Sequence, residues 1–322
     1  MIIDRALLRA RRRRALALGP ATFLADRVAE ELADRLATVL RSFPCALDLG
    51  SPTDAVRHML ARSHKVEAII AANPLLQDAP MKDALTKDAL TKDAPMKDAP
   101  VRDAPMETGP PSLAVAADEE ALPFRDGALD LVVSGLGLHF VNDLPGTLVQ
   151  IRRALKPDGL FMAALLGGDS LSELRQAFAA AEAEIDGGMS PRVLPFADLR
   201  DLGALLQRAG FALPVTDVDR LTVRYASPLA LMHELRRMGA SNPLVDRSRR
   251  PLRRATLARM LEIYAERFAD PDRRIRATFE IVYLSGWAPH ESQQQPLAPG
   301  SARSRLADAL GTQERSAGEK AG

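Results

Sequence analysis

Between residues 45 and 165, short apolar runs bounded by turn residues alternate with stretches whose apolar positions recur every three or four residues. No other feature constrains the fold as strongly, because strands repeat every two residues and half-buried helices about every 3.6. Cys45-Ala46-Leu47-Asp48-Leu49-Gly50 reads as a strand ending in a turn, and Ala55, Met59 and Leu60 mark the helix after it. Further strands are expected at 66–71, 112–117, 129–134 and 159–165, the last after the turn Lys156-Pro157-Asp158-Gly159, with a helix over 144–155. A helix over 199–209 is closed by Gly210, and strands at 215–225 and 277–287 flank helical segments at 229–238 and 252–268. Alternation of this kind predicts an α/β fold, a mostly parallel sheet with helices on both faces.

Residues 77–106 interrupt the alternation with QDAPM KDALT KDALT KDAPM KDAPV RDAPM, six units of a five-residue repeat. Five matches neither period, and proline at the fourth position of four units blocks helix propagation, so 77–107 is read as a solvated low-complexity insertion. With the repeat set aside, the 322 residues suit one α/β domain with a helical cap better than two independent domains. The expected organisation is an amphipathic helical segment over 1–44, the α/β domain over 45–290 with the cap at about 228–270, and a polar, disordered tail over 291–322.

The N-terminal segment carries Arg9, Arg11, Arg12, Arg13 and Arg14 ahead of the run Ala15-Leu16-Ala17-Leu18, which Pro20 interrupts. The pattern continues into a helix with Phe23, Leu24, Val28, Leu32, Leu36 and Leu40 on one face, which argues against a cleaved targeting peptide. The basic cluster is read as a solvated helix face, with peripheral contact to an anionic membrane as the alternative. No apolar run approaches the roughly 20 residues of a membrane-spanning helix. The single cysteine, Cys45, rules out an internal disulfide and suits a reducing cytoplasm; a net charge of +1 argues against bulk electrostatic binding of nucleic acid.

Ligands of open α/β sheets bind beyond the carboxyl ends of the strands, where strand order reverses. The first such turn reads Asp48-Leu49-Gly50-Ser51-Pro52-Thr53-Asp54, with one glycine where close backbone approach to a nucleotide usually needs several. After the second strand no carboxylate stands ready for ribose hydroxyls, and Asn73 is the nearest polar substitute. The third strand runs into Asp118-Glu119-Glu120-Ala121-Leu122-Pro123-Phe124, where Asp118 can accept from an adenine amine and the next N–H can donate to the ring.

Taken in order, Leu47-Asp48-Leu49-Gly50, Ala117-Asp118-Glu119-Glu120-Ala121-Leu122-Pro123-Phe124, Asp130-Leu131-Val132-Val133-Ser134 and Leu155-Lys156-Pro157-Asp158-Gly159 resemble class I S-adenosylmethionine-dependent methyltransferases. More narrowly, the chain resembles the complex I assembly factor 5-like branch, related to malonyl-carrier-protein methyltransferase of biotin synthesis. That resemblance rests on Asp4-Arg5-Ala6-Leu7-Leu8, Leu138-His139-Phe140-Val141-Asn142-Asp143-Leu144-Pro145, Gly167-Gly168-Asp169-Ser170-Leu171 and Met238-Gly239-Ala240-Ser241-Asn242, completed by Gly286-Trp287 and His290-Glu291-Ser292-Gln293. It implies a Rossmann-like sheet of seven strands with S-adenosylmethionine at the carboxyl edge. The cofactor-binding set implied is Asp48, Gly50, Ser51, Asn73, Asp118, Glu119 and Ser134. It also implies a protein side chain or carrier-bound acyl group as acceptor, with a respiratory complex I subunit as partner and the inner membrane as its setting. Two alternatives follow from the same resemblance: arginine hydroxylation of a complex I subunit, and a non-catalytic assembly protein on the same fold.

The chain departs from the broader cofactor pattern at Pro52, which lacks an N–H, and Asp54, which adds a negative charge. The absent ribose-binding acid removes two hydrogen bonds of about 1 kcal/mol each, about thirtyfold in affinity. On the acceptor side the candidates are His139, as base or contact, and Asn142 and Asp143, which equally suit a helix N-cap. Asp169 or Ser170 suits a cap for the next helix, Ser190-Pro191-Arg192 an acceptor wall, Trp287 the core, and Cys45 an inert packed thiol. His58, His64, His139, His233 and His290 show no metal-ligand spacing, and no phosphate loop ending in Lys-Ser or Lys-Thr is present.

Overall fold

The computed structural model describes residues 1–75, 101–103, 109–294 and 306–313. Five parallel strands form its centre in the order β4 (Ser112–Val115), β2 (Val66–Ala72), β1 (Phe43–Leu49), β5 (Leu129–Gly135) and β6 (Leu155–Leu166). Two long antiparallel strands extend the sheet beyond β6, first β8 (Ile275–Trp287), then β7 (Ala212–Tyr225) at the edge. These are the seven expected strands. An eighth, β3 (Val101–Asp103), pairs antiparallel with β4 at the opposite edge. It lies inside the repeat read as a low-complexity insertion, of which residues 77–100 and 104–107 lie outside the described residues.

Side chains alternate between two cores, as the pleat requires. On one face Leu131, Val133, Met162 and Ala164 pack under α2 (Phe23–Thr38), α3 (Ala55–Arg62), α5 (Ser172–Ile185), α7 (Pro228–Arg237) and α8 (Arg254–Phe268). On the other, Leu47, Val132, Phe161 and Ala163 pack under α4 (Leu144–Ala154) and α6 (Leu199–Arg208). Strand β6 begins four residues before the expected start because Leu155 already pairs with Leu129; an irregular register between Leu129 and Leu131 absorbs the Lys156-Pro157 turn.

The N-terminal segment is two helices, α1 (Arg5–Ala17) and α2, and Met1–Pro289 forms one compact unit. The expected solvated basic face is corrected by α1: Arg12 is buried, Arg5 and Arg9 reach acidic partners, Arg11 donates to the Asn242 carbonyl, and only Arg13 and Arg14 are fully exposed. Residues 290–322 form a second unit in which the expected unstructured tail contains one short helix, α9 (Leu306–Leu310). Among the described residues no helix is long and apolar enough to cross a membrane.

Candidate functional site

Strand order reverses between β1 and β5: from β1 the chain steps outward to β2 and β4, then returns to pair β5 on the other side of β1. Their carboxyl ends therefore open the crevice where an α/β sheet binds its ligand. Gly50 turns the chain there with a left-handed φ of 67°, and a side chain at Gly137 would come within 2.6 Å of the Gly50 carbonyl, so the two turns touch. Ser51 Oγ accepts from the Gly135 N–H at 3.0 Å.

Asp48 points into this junction with Oδ1 lacking any partner among the described residues, and Ser134 Oγ is likewise buried and unpartnered. Burial pushes the Asp48 carboxyl up to about 7, against the opposing pull of Ser51 and Arg57. A buried carboxylate oxygen without a donor is costly in a folded protein, and a cationic or N–H-bearing ligand would supply one. Asp54, the unwelcome negative charge of the turn, is paired with Arg57 at 2.8 Å.

Asn73 is committed to the protein: Nδ2 donates to the Ser51 carbonyl at 3.3 Å and Oδ1 accepts from the Leu75 N–H at 2.9 Å. Asp118 is held too. Its Oδ1 accepts from Arg5 Nη2 at 2.7 Å and from the Glu120 N–H at 2.9 Å, and Arg9 stands 4.0 Å from Oδ2. Glu119, almost wholly buried, accepts from Arg5 and lies 3.8 Å from Arg12 Nη1. Helix α1 thus lays guanidinium groups over the two acids assigned to the adenine end.

Beyond the edge lies a cavity of about 420 Å³, lined by Pro52 and Thr53 of the β1 turn, by Leu136 and His139 after β5, and by residues of α1, α2, α5 and α7. Leu136 and Leu171, both in its wall, hold left-handed φ angles of 60° and 55°. Such strain in non-glycine residues gathers at functional sites. His139 lies against Phe140 and Phe196, with ring centroids 4.2 and 5.8 Å away. Burial, reinforced by Arg12, pushes its pKa down to about 3, so the ring is neutral and weakly basic at physiological pH; contact suits it better than proton abstraction.

Asn142 and Asp143 are engaged by structure. Asn142 Oδ1 accepts from the Ile2 and Ile3 N–H groups at 2.7 Å each, and Nδ2 donates to the Ile3 carbonyl at 3.1 Å. Asp143 caps α4 through the Gly146 N–H at 2.8 Å. The expected cap of α5 by Asp169 or Ser170 is corrected: Leu171 occupies the N-cap position, Ser170 Oγ donates to the Glu280 carbonyl, and Asp169 pairs with Arg220. Arg192 does line the cavity, paired with Glu182, whereas Trp287, the last residue of β8, sits opposite Leu160 of β6, away from the carboxyl edge. Cys45 is raised to about 11 by burial and Asp130, an unreactive thiol. No sequence signal pointed to Arg5 and Arg12 as site residues, because their partners lie more than 100 positions away.

The mostly parallel sheet with helices on both faces is the Rossmann-like architecture of methyltransferase domains. Residues 47–163 match the family described as a methyltransferase domain. The chain is 38% identical over 283 residues to the Homo sapiens protein "Arginine-hydroxylase NDUFAF5, mitochondrial", covering 87% of this chain and 74% of that one. The Danio rerio protein of the same name is 36% identical over 286 residues, 89% of this chain and 81% of its own. A "Malonyl-[acyl-carrier protein] O-methyltransferase" from Halorhodospira halophila (strain DSM 244 / SL1) is 34% identical over 279 residues, 86% of this chain and 85% of that one. The chain belongs to the methyltransferase-domain family that contains these proteins.

Proposed function

We propose that this chain is an S-adenosylmethionine-dependent methyltransferase that binds its cofactor across the β1–β5 junction and receives its acceptor from the adjoining cavity. One observation carries the reading: the turn that follows Asp48, with its open Oδ1, and the wall of the acceptor cavity are the same stretch of chain, through Pro52 and Thr53. Asp48 and Ser134 suit the polar methionine end of the cofactor, and Asp118 suits the adenine amine, shared with Arg5. Asn73, already bonded twice within the protein, adds little for the ribose.

When bound, S-adenosylmethionine supplies an electrophilic sulfonium methyl. The protein's own residues then hold the acceptor in line, keep water out with the cavity's leucines and phenylalanines, and need no triad of catalytic groups. The printed names of the relatives support two acceptors, an arginine side chain and a carrier-bound acyl group, and the motif resemblance would put the first on a respiratory complex I subunit. Such a role would set the protein in the cytoplasm at the inner membrane, where exposed Arg13, Arg14 and Leu16 of α1, with Leu18 at its end, would meet the surface. A second reading, arginine hydroxylation, is favoured by the printed names of the NDUFAF5 relatives and needs an oxidant from outside the chain.

Calorimetric titration with S-adenosylmethionine and S-adenosylhomocysteine tests the leading reading, with saturable one-to-one binding expected. Asp118→Ala should weaken both ligands by about threefold to tenfold. Absence of binding at millimolar ligand would leave the non-catalytic assembly role. Mass spectrometry of complex I subunits, with and without the protein, decides between added methyl and added oxygen.

A further inference from the structure

Sorted by chemistry, the wall of the cavity is unusual. Leu24, Leu166, Leu174, Phe178 and Phe279 supply apolar surface enough for an extended hydrocarbon body. The charged lining is entirely arginine: Arg11, Arg12, Arg192, Arg236, Arg237 and Arg247, with no aspartate or glutamate among the lining residues. Some of these cations are answered from outside the wall, Arg192 by Glu182 and Arg247 by Asp4 at 3.4 Å.

Arg12 is different. Only 5% of it is exposed, Nη2 has no partner among the described residues, and its one acid, Glu119, stands 3.8 Å from Nη1 and is shared with Arg5. Its guanidinium lies over Phe140, 5.0 Å from the ring centroid. His139 Nδ1, in the same wall, is also buried and unpartnered. A buried cation lacking its second hydrogen-bond acceptor is stabilised by an anion and by little else.

We propose that this cavity is a binding site for a single-chain amphiphile of the fatty-carboxylate class, its carboxylate on Arg12 beside His139 and its hydrocarbon along the leucine and phenylalanine wall. The binding stands by itself; that the bound carboxylate is the methyl acceptor rests on the reading above. In that case S-adenosylmethionine, held by Asp48 and Ser134, would supply the methyl to a carboxylate oxygen, and the neutral, weakly basic His139 would have no proton to remove. By the same electrostatics the cavity disfavours a guanidinium or ammonium guest, which would meet arginines in the wall and no lining carboxylate, the acids that pair Arg192 and Arg247 lying outside it.

The test is calorimetry on the full chain with dodecanoate, dodecanol and dodecyltrimethylammonium, below their micelle concentrations. Dodecanoate should saturate one site, dodecanol should bind about tenfold more weakly, and the ammonium should not bind. Arg12→Met should cut dodecanoate affinity about tenfold and leave dodecanol unchanged. Should that variant fail to fold, Arg236→Gln, at an exposed rim position, is expected to lower carboxylate affinity about threefold. Equal binding of carboxylate and ammonium, no binding of dodecanoate, or displacement of dodecanoate by an arginine-bearing peptide would overturn the proposal. Cofactor titration on the same protein separates the claims: cofactor binding without dodecanoate binding defeats only this inference, and the converse defeats only methyl transfer.

Discussion

Of the loops that leave the carboxyl edge of the sheet, those after β1 and after β6 both carry glycines and polar residues that look like parts of a site. After β6 every buried polar group is answered. Ser170 Oγ exchanges hydrogen bonds with the Glu280 backbone at 3.0 Å in each direction, and Glu173 accepts from the Thr278 hydroxyl at 2.5 Å and its N–H at 3.1 Å. After β1, Asp48 Oδ1 and the neighbouring Ser134 Oγ are answered by nothing among the described residues. A polar group fully bonded within the protein holds the fold together, whereas a buried one left open, as at Asp48, could take a donor from the proposed cofactor. The Gly167-Gly168-Asp169-Ser170 motif thus ties β6 to β8, and the degenerate β1 turn is the one that the proposed function uses.

Removing a completed group should give the largest change in stability and no change in binding. Glu173→Ala leaves the half-buried Thr278 hydroxyl and N–H without their acceptor, and we expect a loss of about 3 kcal/mol in urea denaturation. Affinity for S-adenosylhomocysteine, measured on the folded fraction, should stay within about twofold. A tenfold fall there would mean that the β6 loop belongs to the site after all.

The opposite substitution tests the open loop. Asp48 has its folded pKa raised to about 7 from 3.8, so the folded state favours the protonated form. That contribution is complete below about pH 4 and is lost as pH rises through about 7, above which the folded protein carries a buried charge. Asp48→Asn should therefore be more stable than the parent at pH 8, by about 1–3 kcal/mol, and the gap should close towards pH 5. Cofactor affinity should fall about tenfold at the same time. His139 acts in the other direction: its pKa is lowered from 6.5 to about 3, so its contribution is complete above pH 6.5 and fades as pH falls towards 3. Melting curves of the variant and parent from pH 5 to 8 separate the two groups, and a gap independent of pH would contradict the burial assigned to Asp48.

Much of this contrast was out of reach of the sequence, for physical reasons. The strands were legible because the centres of β1, β5 and β6 are buried on both faces and read as mainly apolar runs. The crevice followed from strand order, and Asp48, Gly50 and Ser134 followed from their place at strand ends. Whether a polar side chain is satisfied, however, depends on partners supplied by the tertiary fold. Glu173 meets Thr278 across 105 positions, and Arg5 meets Glu119 across 114. The basic run of α1 therefore looked like a solvated face, although its helix carries the cations that cover Glu119 and line the cavity. Three motifs quoted for the narrower resemblance prove to be neighbours: Ile3, just before Asp4-Arg5, bridges Leu244, Asn142 holds the Ile2 and Ile3 N–H groups, and Asn242 accepts from Arg11.

The smallest effect belongs to a residue that sequence position placed at the acceptor entrance. Asp143 accepts from the Gly146 N–H at 2.8 Å, and its carbonyl takes the Thr147 N–H at 3.0 Å, so its side chain serves α4 alone. Asp143→Ala should cost about 1 kcal/mol, the usual loss for an N-cap, and Asp143→Ser should recover most of it. Neither variant should alter dodecanoate or cofactor affinity by more than about twofold, because Asp143 is absent from the cavity wall that His139 lines. If serine restores stability while binding or methyl transfer stays depressed, the carboxylate has a role at the entrance that the cap does not explain, and the division between closed and open polar groups must be redrawn at this loop.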